Sequence, residues 1–160
     1  LCAATFVVNV TQSSYQAEKN HSITLEWTFT TTPDGPWRDL YIYCNLLTPR
    51  KIFYQVRNGV EVSKNQDEQF SGRVQSDKDV LREGRIRLHV SRLRTEDSGE
   101  YYCQVYTYGG SGSASCRVNV SEAKNRPEPP NSGSATSRPG NQIRTIGGLL
   151  LFLSVKLFLL

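Results

Sequence analysis

Few side chains of this 160-residue sequence could do covalent or metal chemistry: four cysteines, two histidines and the asparagines of three Asn-x-Ser/Thr sequons. The residues are Cys2, Cys44, Cys103 and Cys116, His21 and His89, and Asn9, Asn20 and Asn119. Disulfides and N-linked glycans are both formed in the secretory pathway, so their joint presence is more informative than either alone. The sequence therefore predicts a secreted or cell-surface glycoprotein.

The same residues give little support for catalysis. Neither histidine lies at a metal-ligand spacing from a cysteine or a carboxylate, and His89 occupies an outward strand position typical of a solvated side chain. No Gly-x-Ser-x-Gly elbow is present, and the run YGGSGSAS (108–115) lacks the lysine of a phosphate loop. We predict no enzymatic activity and no cofactor or metal, and we interpret the run as a flexible loop between two strands.

Short segments of alternating apolar and polar residues fill positions 5–122, and no long helix is apparent. The inward-facing sets are Phe6, Val8 and Val10; Ile23, Leu25, Trp27 and Phe29; Leu40, Ile42 and Cys44; Ile86, Leu88 and Val90; Tyr101, Cys103 and Val105; and Cys116, Val118 and Val120. Asn9 and Asn119 lie between inward valines, so their glycans would point outward as they must. The pattern predicts an all-β, two-sheet sandwich.

The net charge and the two ends of the chain indicate which partners and which processing to expect. The net charge of +4 is spread along the chain without a basic block, so we expect no nucleic-acid partner. Residues 1–4 resemble the end of a signal peptide, which would remove Cys2 if cleavage follows Ala4. Residues 123–145 are rich in Pro, Ser and Gly and are expected to form a disordered stalk.

The hydrophobic segment 146–160 is expected to attach the protein to a membrane. It is shorter than the roughly 20 residues that span a bilayer, which favours a glycolipid-anchor signal. The predicted attachment triplet is Ser132, Gly133 and Ser134, with 134–136 as a close alternative. If the segment spans instead, Lys156 could pair with an acidic residue of a signalling adaptor; a cropped chain is the third possibility.

A group of motifs in the second half of the domain identifies its family resemblance. They are Asp97-x-Gly99-x-Tyr101-x-Cys103, the preceding GRIRLHVSRLRTEDSG and QFSGRV with Arg73. With these motifs, residues 5–122 resemble an immunoglobulin variable-type (V-set) domain, and in particular the butyrophilin and costimulatory-ligand families. The resemblance implies a Greek-key sandwich, a tyrosine corner at Tyr101 and an Arg73–Asp97 ion pair that closes one end.

The sequence departs from the family at its disulfide. Trp27 occupies the place of the family's strand B cysteine, and Cys44 occupies that of its strand C tryptophan. Since strands C and F are neighbours in the family, the resemblance implies a Cys44–Cys103 bridge within one sheet, covered by Trp27. The alternative is a Cys103–Cys116 bridge that leaves Cys44 free; the fates of Cys2 and Cys116 stay open.

The resemblance also implies a partner-binding face on strands C and F. The outward residues there are Tyr41, Tyr43, Tyr102, Gln104, Tyr106 and Tyr108. Tyrosine is enriched at binding hot spots, although cross-strand tyrosine pairs can also serve only to stabilise a sheet. The segments 30–38 and 106–115 would border this face, with Trp37 either exposed or packed onto the sandwich.

The expected function follows from this resemblance. We expect a ligand or receptor on the extracellular side of the plasma membrane that modulates lymphocyte (T-cell) activation by contacting a protein on another immune cell. A small-molecule substrate is not expected. The alternatives are a homophilic or heterophilic adhesion molecule, or an activating receptor coupled to an adaptor through Lys156.

Overall fold

The computed structural model describes residues 4–31 and 37–124. Ten strands form within them: β1 (Val8–Val10), β2 (Ser14–Glu18), β3 (Ile23–Phe29), β4 (Tyr41–Leu47), β5 (Arg50–Arg57), β6 (Val60–Glu61), β7 (Val74–Ser76), β8 (Arg85–Val90), β9 (Gly99–Thr107) and β10 (Gly110–Ser121). One short α-helix, α1, covers Lys78–Leu81, and 3₁₀ turns cover Trp37–Asp39, Glu68–Phe70 and Thr95–Asp97.

The strands form two sheets packed face to face. The four-stranded sheet has the order β1-β3-β8-β7, and the six-stranded sheet has the order β2-β10-β9-β4-β5-β6. Neighbouring strands are antiparallel except β2 and β10, which run parallel. The predicted all-β sandwich is confirmed.

The core lies between the sheets and is built around four aromatic side chains. Phe53 contacts Tyr101 edge-on with ring centroids 5.0 Å apart, and it also packs on Trp27 and Phe70. Burial of such large apolar surfaces is the main favourable contribution to folding. All buried hydrophobic residues of the described chain lie between Val8 and Val120, so this segment contains a complete core of its own.

Phe53 enters the core because the pairing of β4 with β5 is irregular. The register shifts between Cys44 and Asn45, so Cys44 faces Tyr54 while Asn45 faces Ile52, and Phe53 is the extra residue. A bulge of this kind interrupts the alternation of a strand. Alternation alone therefore did not identify Phe53 as a core residue.

The glycine-rich run 108–115 is not the flexible loop that its composition predicted. Only Tyr108 and Gly109 form a turn, and Gly110 already pairs with Thr107 as the first residue of β10. A β-carbon on Gly110, whose φ is +143°, would lie 2.6 Å from Cβ of Phe6. The glycine is therefore required because the N-terminal segment packs directly against this strand.

Several predicted features lie outside the described residues. These are Cys2, residues 125–145 of the predicted stalk and the hydrophobic segment with Lys156, as well as Ser132, Gly133 and Ser134. Within residues 4–31 and 37–124, no helix is long and apolar enough to cross a membrane.

Candidate protein-binding face

A disulfide fixes the two strands that carry the candidate face. Cys44 on β4 and Cys103 on β9 are direct cross-strand neighbours and are bonded to each other, with both side chains fully buried. The bond joins residues 59 positions apart, which by chain-entropy reckoning stabilises the fold by about 4 kcal/mol. The relative position of β4 and β9 is thus held covalently as well as by the hydrogen bonds of the sheet.

Trp27 links the two sheets in place of a disulfide. Its indole Nε1 donates a hydrogen bond of 3.0 Å from the four-stranded sheet to the carbonyl oxygen of Ala114 on β10. Ala114 is the cross-strand partner of Cys103, so the indole reaches the six-stranded sheet beside the disulfide. The intersheet contact is therefore made by an aromatic side chain and a hydrogen bond.

Cys116 keeps a free thiol inside the core. It is 3% exposed and lies opposite Tyr101 on β9. Burial, with a smaller contribution from the carboxylate of Glu100, raises the pKa of this thiol to about 12. A thiol held protonated in this way is a poor nucleophile and behaves as a small apolar side chain.

A buried ion pair closes one end of the sandwich beneath β9. The Arg73 guanidinium donates to both carboxylate oxygens of Asp97, at 2.7 and 2.8 Å, and Gln69 and the Arg94 backbone N–H donate to the same carboxylate. Burial acts to raise the pKa of Asp97, but these hydrogen bonds outweigh it and the pKa is lowered. The Tyr101 hydroxyl donates to the Asp97 carbonyl oxygen at 2.7 Å, which anchors the start of β9.

Five of the six predicted binding residues share the outer surface of the six-stranded sheet. Tyr41 and Tyr43 on β4 pair with Tyr106 and Gln104 on β9, and Tyr102 follows on the same side. We call these five residues the tyrosine-rich face. Tyr106 is 39% exposed and the other four are partly exposed. Tyr108 does not join them, because it lies in the turn beyond the end of β9, where it is 88% exposed.

The rings of this face are held by contacts with one another and with a neighbouring turn. Tyr43 and Tyr106 meet edge to face with centroids 6.2 Å apart, and the Tyr41 hydroxyl donates to Oδ1 of Asn58. Beside them on β10 the outward residues are small, namely Ser111, Ser113 and Ser115. No salt bridge of the described residues involves β4 or β9, and the exposed Glu100, which accepts a hydrogen bond of 2.6 Å from the Ser115 hydroxyl, is the charged residue on the outward side of β9.

Two buried amides on the same side of the sheet were not predicted. Asn45 pairs with Tyr102 and Gln55 pairs with Tyr43, yet each is only 3% exposed. Gln55 accepts a hydrogen bond of 3.0 Å from Asn65, in the segment that follows β6, while Oδ1 of Asn45 is buried without a protein partner among the described residues. The accessible part of the face is thus restricted toward its Tyr41–Tyr106 end.

The outer surface of the four-stranded sheet is charged. Oε2 of Glu26 on β3 accepts hydrogen bonds from Arg85 at 3.0 Å and Arg87 at 2.8 Å, both on β8, and Arg87 also lies 3.5 Å from Asp77. We call these four residues the ion-pair face. Burial acts to raise the pKa of Glu26, but the hydrogen bonds from the two arginines outweigh it, and the pKa is lowered.

One of the two histidines, His89, lies on the outer surface of the four-stranded sheet. His89 on β8 is exposed, and its Nδ1 lies 3.1 Å from the hydroxyl of Thr24. In the part of the chain that the structure describes, no cluster of three or more His, Cys, Asp or Glu side chains could hold a metal ion.

All three sequon asparagines are exposed, but they lie on different surfaces of the sandwich. Asn9 is on β1, the edge strand of the four-stranded sheet, and Asn20 lies in the turn after β2 with a φ of +70°. Asn119 lies near the end of β10 and donates to Gln16 at 2.9 Å. Asn119 alternates with the buried Val118 and Val120, so it lies on the same outer surface as the tyrosine-rich face, near the opposite end of β10 from Ser111.

Trp37 lies at the edge of the sandwich and is 37% exposed. Its carbonyl oxygen accepts from the Leu40 backbone N–H, and the β5–β6 turn packs against it closely enough that a β-carbon on Gly59 would lie 2.4 Å from that oxygen. The backbone of Trp37 is thus fixed while part of its indole remains open to solvent.

The comparison with known proteins agrees with this architecture. The sequence profile of the immunoglobulin V-set domain matches residues 8–121, so the chain belongs to the V-set domain family. This confirms the family resemblance. A comparison with curated protein sequences finds no match.

Two solved structures are similar to this chain. The human B7-H4 IgV-like domain aligns with a TM-score of 0.61 at 23% identity, covering 74% of this chain and 98% of that one. Bovine butyrophilin aligns with a TM-score of 0.62 at 18% identity, covering 75% of this chain and 56% of that one. At these identities the likeness shows the fold.

Proposed function

We propose that this protein is a cell-surface ligand or receptor that modulates lymphocyte activation, in particular that of T cells, by binding a protein on another cell. The observation that carries the proposal is the tyrosine-rich face: four tyrosines and a glutamine on two strands joined by a disulfide, left partly exposed at one end of a V-set sheet. The likeness of the fold to B7-H4 and butyrophilin supports the choice of an immune partner.

Physical chemistry favours binding over a purely structural role for these tyrosines. Tyrosine buries a large, rigid surface and retains a polar hydroxyl, so it loses little conformational entropy when a partner covers it. Cross-strand pairing explains the contact between Tyr43 and Tyr106 at about 0.2 to 1 kcal/mol. It does not account for the accessible surface left on Tyr41, Tyr102 and Tyr106.

The position of the face suits contact between cells. Tyr106 pairs with Ser111 near the start of β10, whereas Ser121 at the other end of that strand leads toward the C-terminus. The 12 residues of β10 span roughly 37 Å at about 3.4 Å per residue. With a membrane attachment after residue 124, which we propose to be a glycolipid anchor at 132–134, the face would lie at the end distant from the membrane.

The test uses cells that display the full chain. They are probed with fluorescent multimers of receptor ectodomains from activated and resting lymphocytes, and each hit is repeated with Tyr43→Ala/Tyr102→Ala. Arg85→Gln/Arg87→Gln on the opposite sheet is the matched control. We expect the tyrosine variant to lose staining and the arginine variant to keep it; equal staining of both variants would exclude this face.

The mode of attachment has a separate test. Treatment of the same cells with a phospholipase C specific for glycosylphosphatidylinositol should release the protein into the medium. Retention after treatment would favour the alternative in which the hydrophobic segment spans the membrane and Lys156 pairs with an adaptor.

Self-association is a second candidate function, and one observation favours it. Bulky tyrosines on β4 and β9 lie beside the small serines of β10 on one surface, so the ridge of one copy could pack into the trough of another. Sedimentation equilibrium of the soluble domain at micromolar concentration distinguishes the two functions. A dimer that Ser113→Tyr abolishes would support adhesion, and a monomer would exclude it.

A further inference from the structure

We propose that a second binding site, a cleft at the β5–β6 edge, receives an apolar side chain of an acidic peptide segment. The cleft has a volume of about 270 Å³ and lies between the β5–β6 turn, the Trp37 turn and α1. Its lining includes Trp37, Val56, Val60 and Leu81. The site is separate from the tyrosine-rich face and does not depend on the function proposed for it.

Four apolar side chains line this cleft together with three charged ones. The described residues leave five large hydrophobic side chains exposed, and two of them, Trp37 at 37% and Val60 at 66%, lie in this lining. Val56 beneath them is 1% exposed and belongs to the core, and Leu81 packs against the core from α1. Covering these groups would remove apolar surface from water, which is the main driving force for association.

The cleft lining also contains an exposed carboxylate, that of Glu61, and a buried phenol, that of Tyr54. Ser76 donates to Oε2 of Glu61 at 2.6 Å, and the Tyr54 ring is 5% exposed. Burial raises the pKa of the Tyr54 phenol to about 12, so it stays neutral and adds no charge. An incoming apolar group therefore does not strand the carboxylate of Glu61 without a hydrogen-bond partner.

The rim decides the charge of the occupant. Lys78 and Arg82 line the cleft on α1 and just after it, both are exposed, and neither forms a salt bridge within residues 4–31 and 37–124. Together with the carboxylate of Glu61, which also forms no salt bridge among the described residues, these two cations give the lining a net charge of +1 (two positive charges and one negative), which complements carboxylates that flank an apolar group. The rim thus selects an acidic partner over a basic one.

The volume decides the size of the occupant. Pockets that bind whole small molecules usually have about 300 to 1,000 Å³, so 270 Å³ suits one large side chain. An aromatic or branched aliphatic residue followed or preceded by Asp or Glu meets both requirements. The ligand class we assign is therefore a short acidic peptide with one large apolar residue.

The test is an NMR titration of the soluble domain, residues 4–124, which contains the complete core. The probe is the peptide acetyl-Asp-Asp-Trp-Asp-Asp-amide, with an Asn-for-Asp peptide and an Ala-for-Trp peptide as comparisons. The Trp37 indole N–H signal should shift saturably with the first peptide. Trp27, which is fully buried, is the internal reference and should not move.

Charge substitutions test the rim. Lys78→Gln/Arg82→Gln should raise the dissociation constant at least about fivefold, because each cation contributes a screened surface interaction. Lys64→Gln, which removes an exposed cation outside the cleft, should leave the dissociation constant unchanged. The dissociation constant of the Asn-containing peptide should be higher by a similar factor, and the Ala-containing peptide should not bind.

Three results would overturn the proposal. One is the absence of any shift at Trp37, Val60 or Leu81 with the acidic peptide up to about 5 mM, which corresponds to a negligible affinity. Another is binding that is equally strong with the Asn-containing peptide or in the Lys78→Gln/Arg82→Gln variant. Shifts confined to β4 and β9 would also exclude the cleft while leaving the tyrosine-rich face as a binding site.

Discussion

The two outer surfaces of this sandwich differ in whether their polar side chains are already paired with one another. On the ion-pair face, Glu26 satisfies Arg85 and Arg87 across the β3–β8 pair, so its charges already have partners. On the tyrosine-rich face the rings contact one another but keep accessible surface, and no salt bridge of the described residues reaches β4 or β9.

This difference shows which surface is suited to a partner. A partner that covered the ion-pair face would have to desolvate charges that are already paired, at a cost that new contacts must offset. Covering tyrosines gains apolar burial and leaves the hydroxyls able to bond. The sequons do not divide the two surfaces in the same way, because a glycan at Asn9 would lie over the four-stranded sheet and one at Asn119 on the outer surface of the six-stranded sheet.

Both faces need an intact core, so the largest effect on stability should come from Asp97→Asn. Removing one partner of the buried pair leaves Arg73 uncompensated and should lower the free energy of unfolding by about 3 to 5 kcal/mol. Urea unfolding at pH 7 measures it, with the exposed Asp79→Asn as a control that should change by less than about 0.5 kcal/mol. Because both faces depend on the same core, unfolding should disrupt the tyrosine-rich face and the ion-pair face together.

The pH dependence of this effect has a definite sign. Because the folded pKa of Asp97 is lowered, its contribution is complete above the unfolded value of about 3.9 and is lost as the pH falls through the folded pKa. As the pH is lowered from 5 to below the folded pKa of Asp97, the free energy of unfolding should therefore fall more for the wild-type protein than for Asp97→Asn. Parallel curves for the two proteins would contradict the lowered pKa.

A glycan placed on the tyrosine-rich face should separate the two surfaces most directly. Ser113→Asn creates a sequon with Ala114 and Ser115 opposite Gln104, and partner binding should fall at least 100-fold, about 2.7 kcal/mol, by steric exclusion. Adding Ser115→Ala keeps the asparagine but removes the sequon and should restore binding. Asn9→Gln should not affect binding; full affinity of a glycosylated Ser113→Asn protein would refute the face.

Truncating two rings should have an intermediate effect. Tyr43→Ala/Tyr106→Ala should weaken partner binding about 30-fold, or about 2 kcal/mol, because it removes the edge-to-face pair at the accessible end of the face. The free energy of unfolding should fall by no more than about 1 kcal/mol. Surface plasmon resonance and urea unfolding give the two values, and a larger loss of stability than of binding would assign the tyrosines to the sheet alone.

The smallest effect is expected on the ion-pair face. Glu26→Gln removes the acceptor shared by Arg85 and Arg87 and should lower the free energy of unfolding by about 1 kcal/mol, less at high salt, with partner binding unchanged. Because the folded pKa of Glu26 is lowered, this contribution is complete above the unfolded value of about 4.3 and is lost as the pH falls through the folded pKa. A weakened partner affinity in this variant would show that the two faces are not independent.

Much of the frame could be predicted from local patterns. The alternation in segments such as Leu25-Glu26-Trp27 identified inward and outward positions, because successive side chains of a strand point to opposite sides. The motif around Tyr101 and Cys103 identified the family. The same alternation made Tyr41, Tyr43, Tyr102, Gln104 and Tyr106 outward residues, and the family resemblance implied that their two strands are neighbours, as they are in the structure.

Other features depend on contacts that no local pattern contains. The run after Tyr108 has the composition of a loop, yet it is a strand because its glycines lie against Phe6 and Val8. The bulge after Cys44 brings Phe53 into the core, and the segment after β6 buries the amide of Gln55. Each of these results involves residues separated by many positions in the chain.

The sequence by itself determined that short strands form, which side of most of them is apolar, and that the domain belongs to the V-set family, because alternation and motifs are local properties. Only the tertiary structure decided where the register slips, how Trp27 bonds across the sheets to Ala114, and that Trp37 and Val60 meet Lys78 and Arg82 at one cleft. These outcomes depend on how distant segments pack, and packing is settled by the whole folded chain at once.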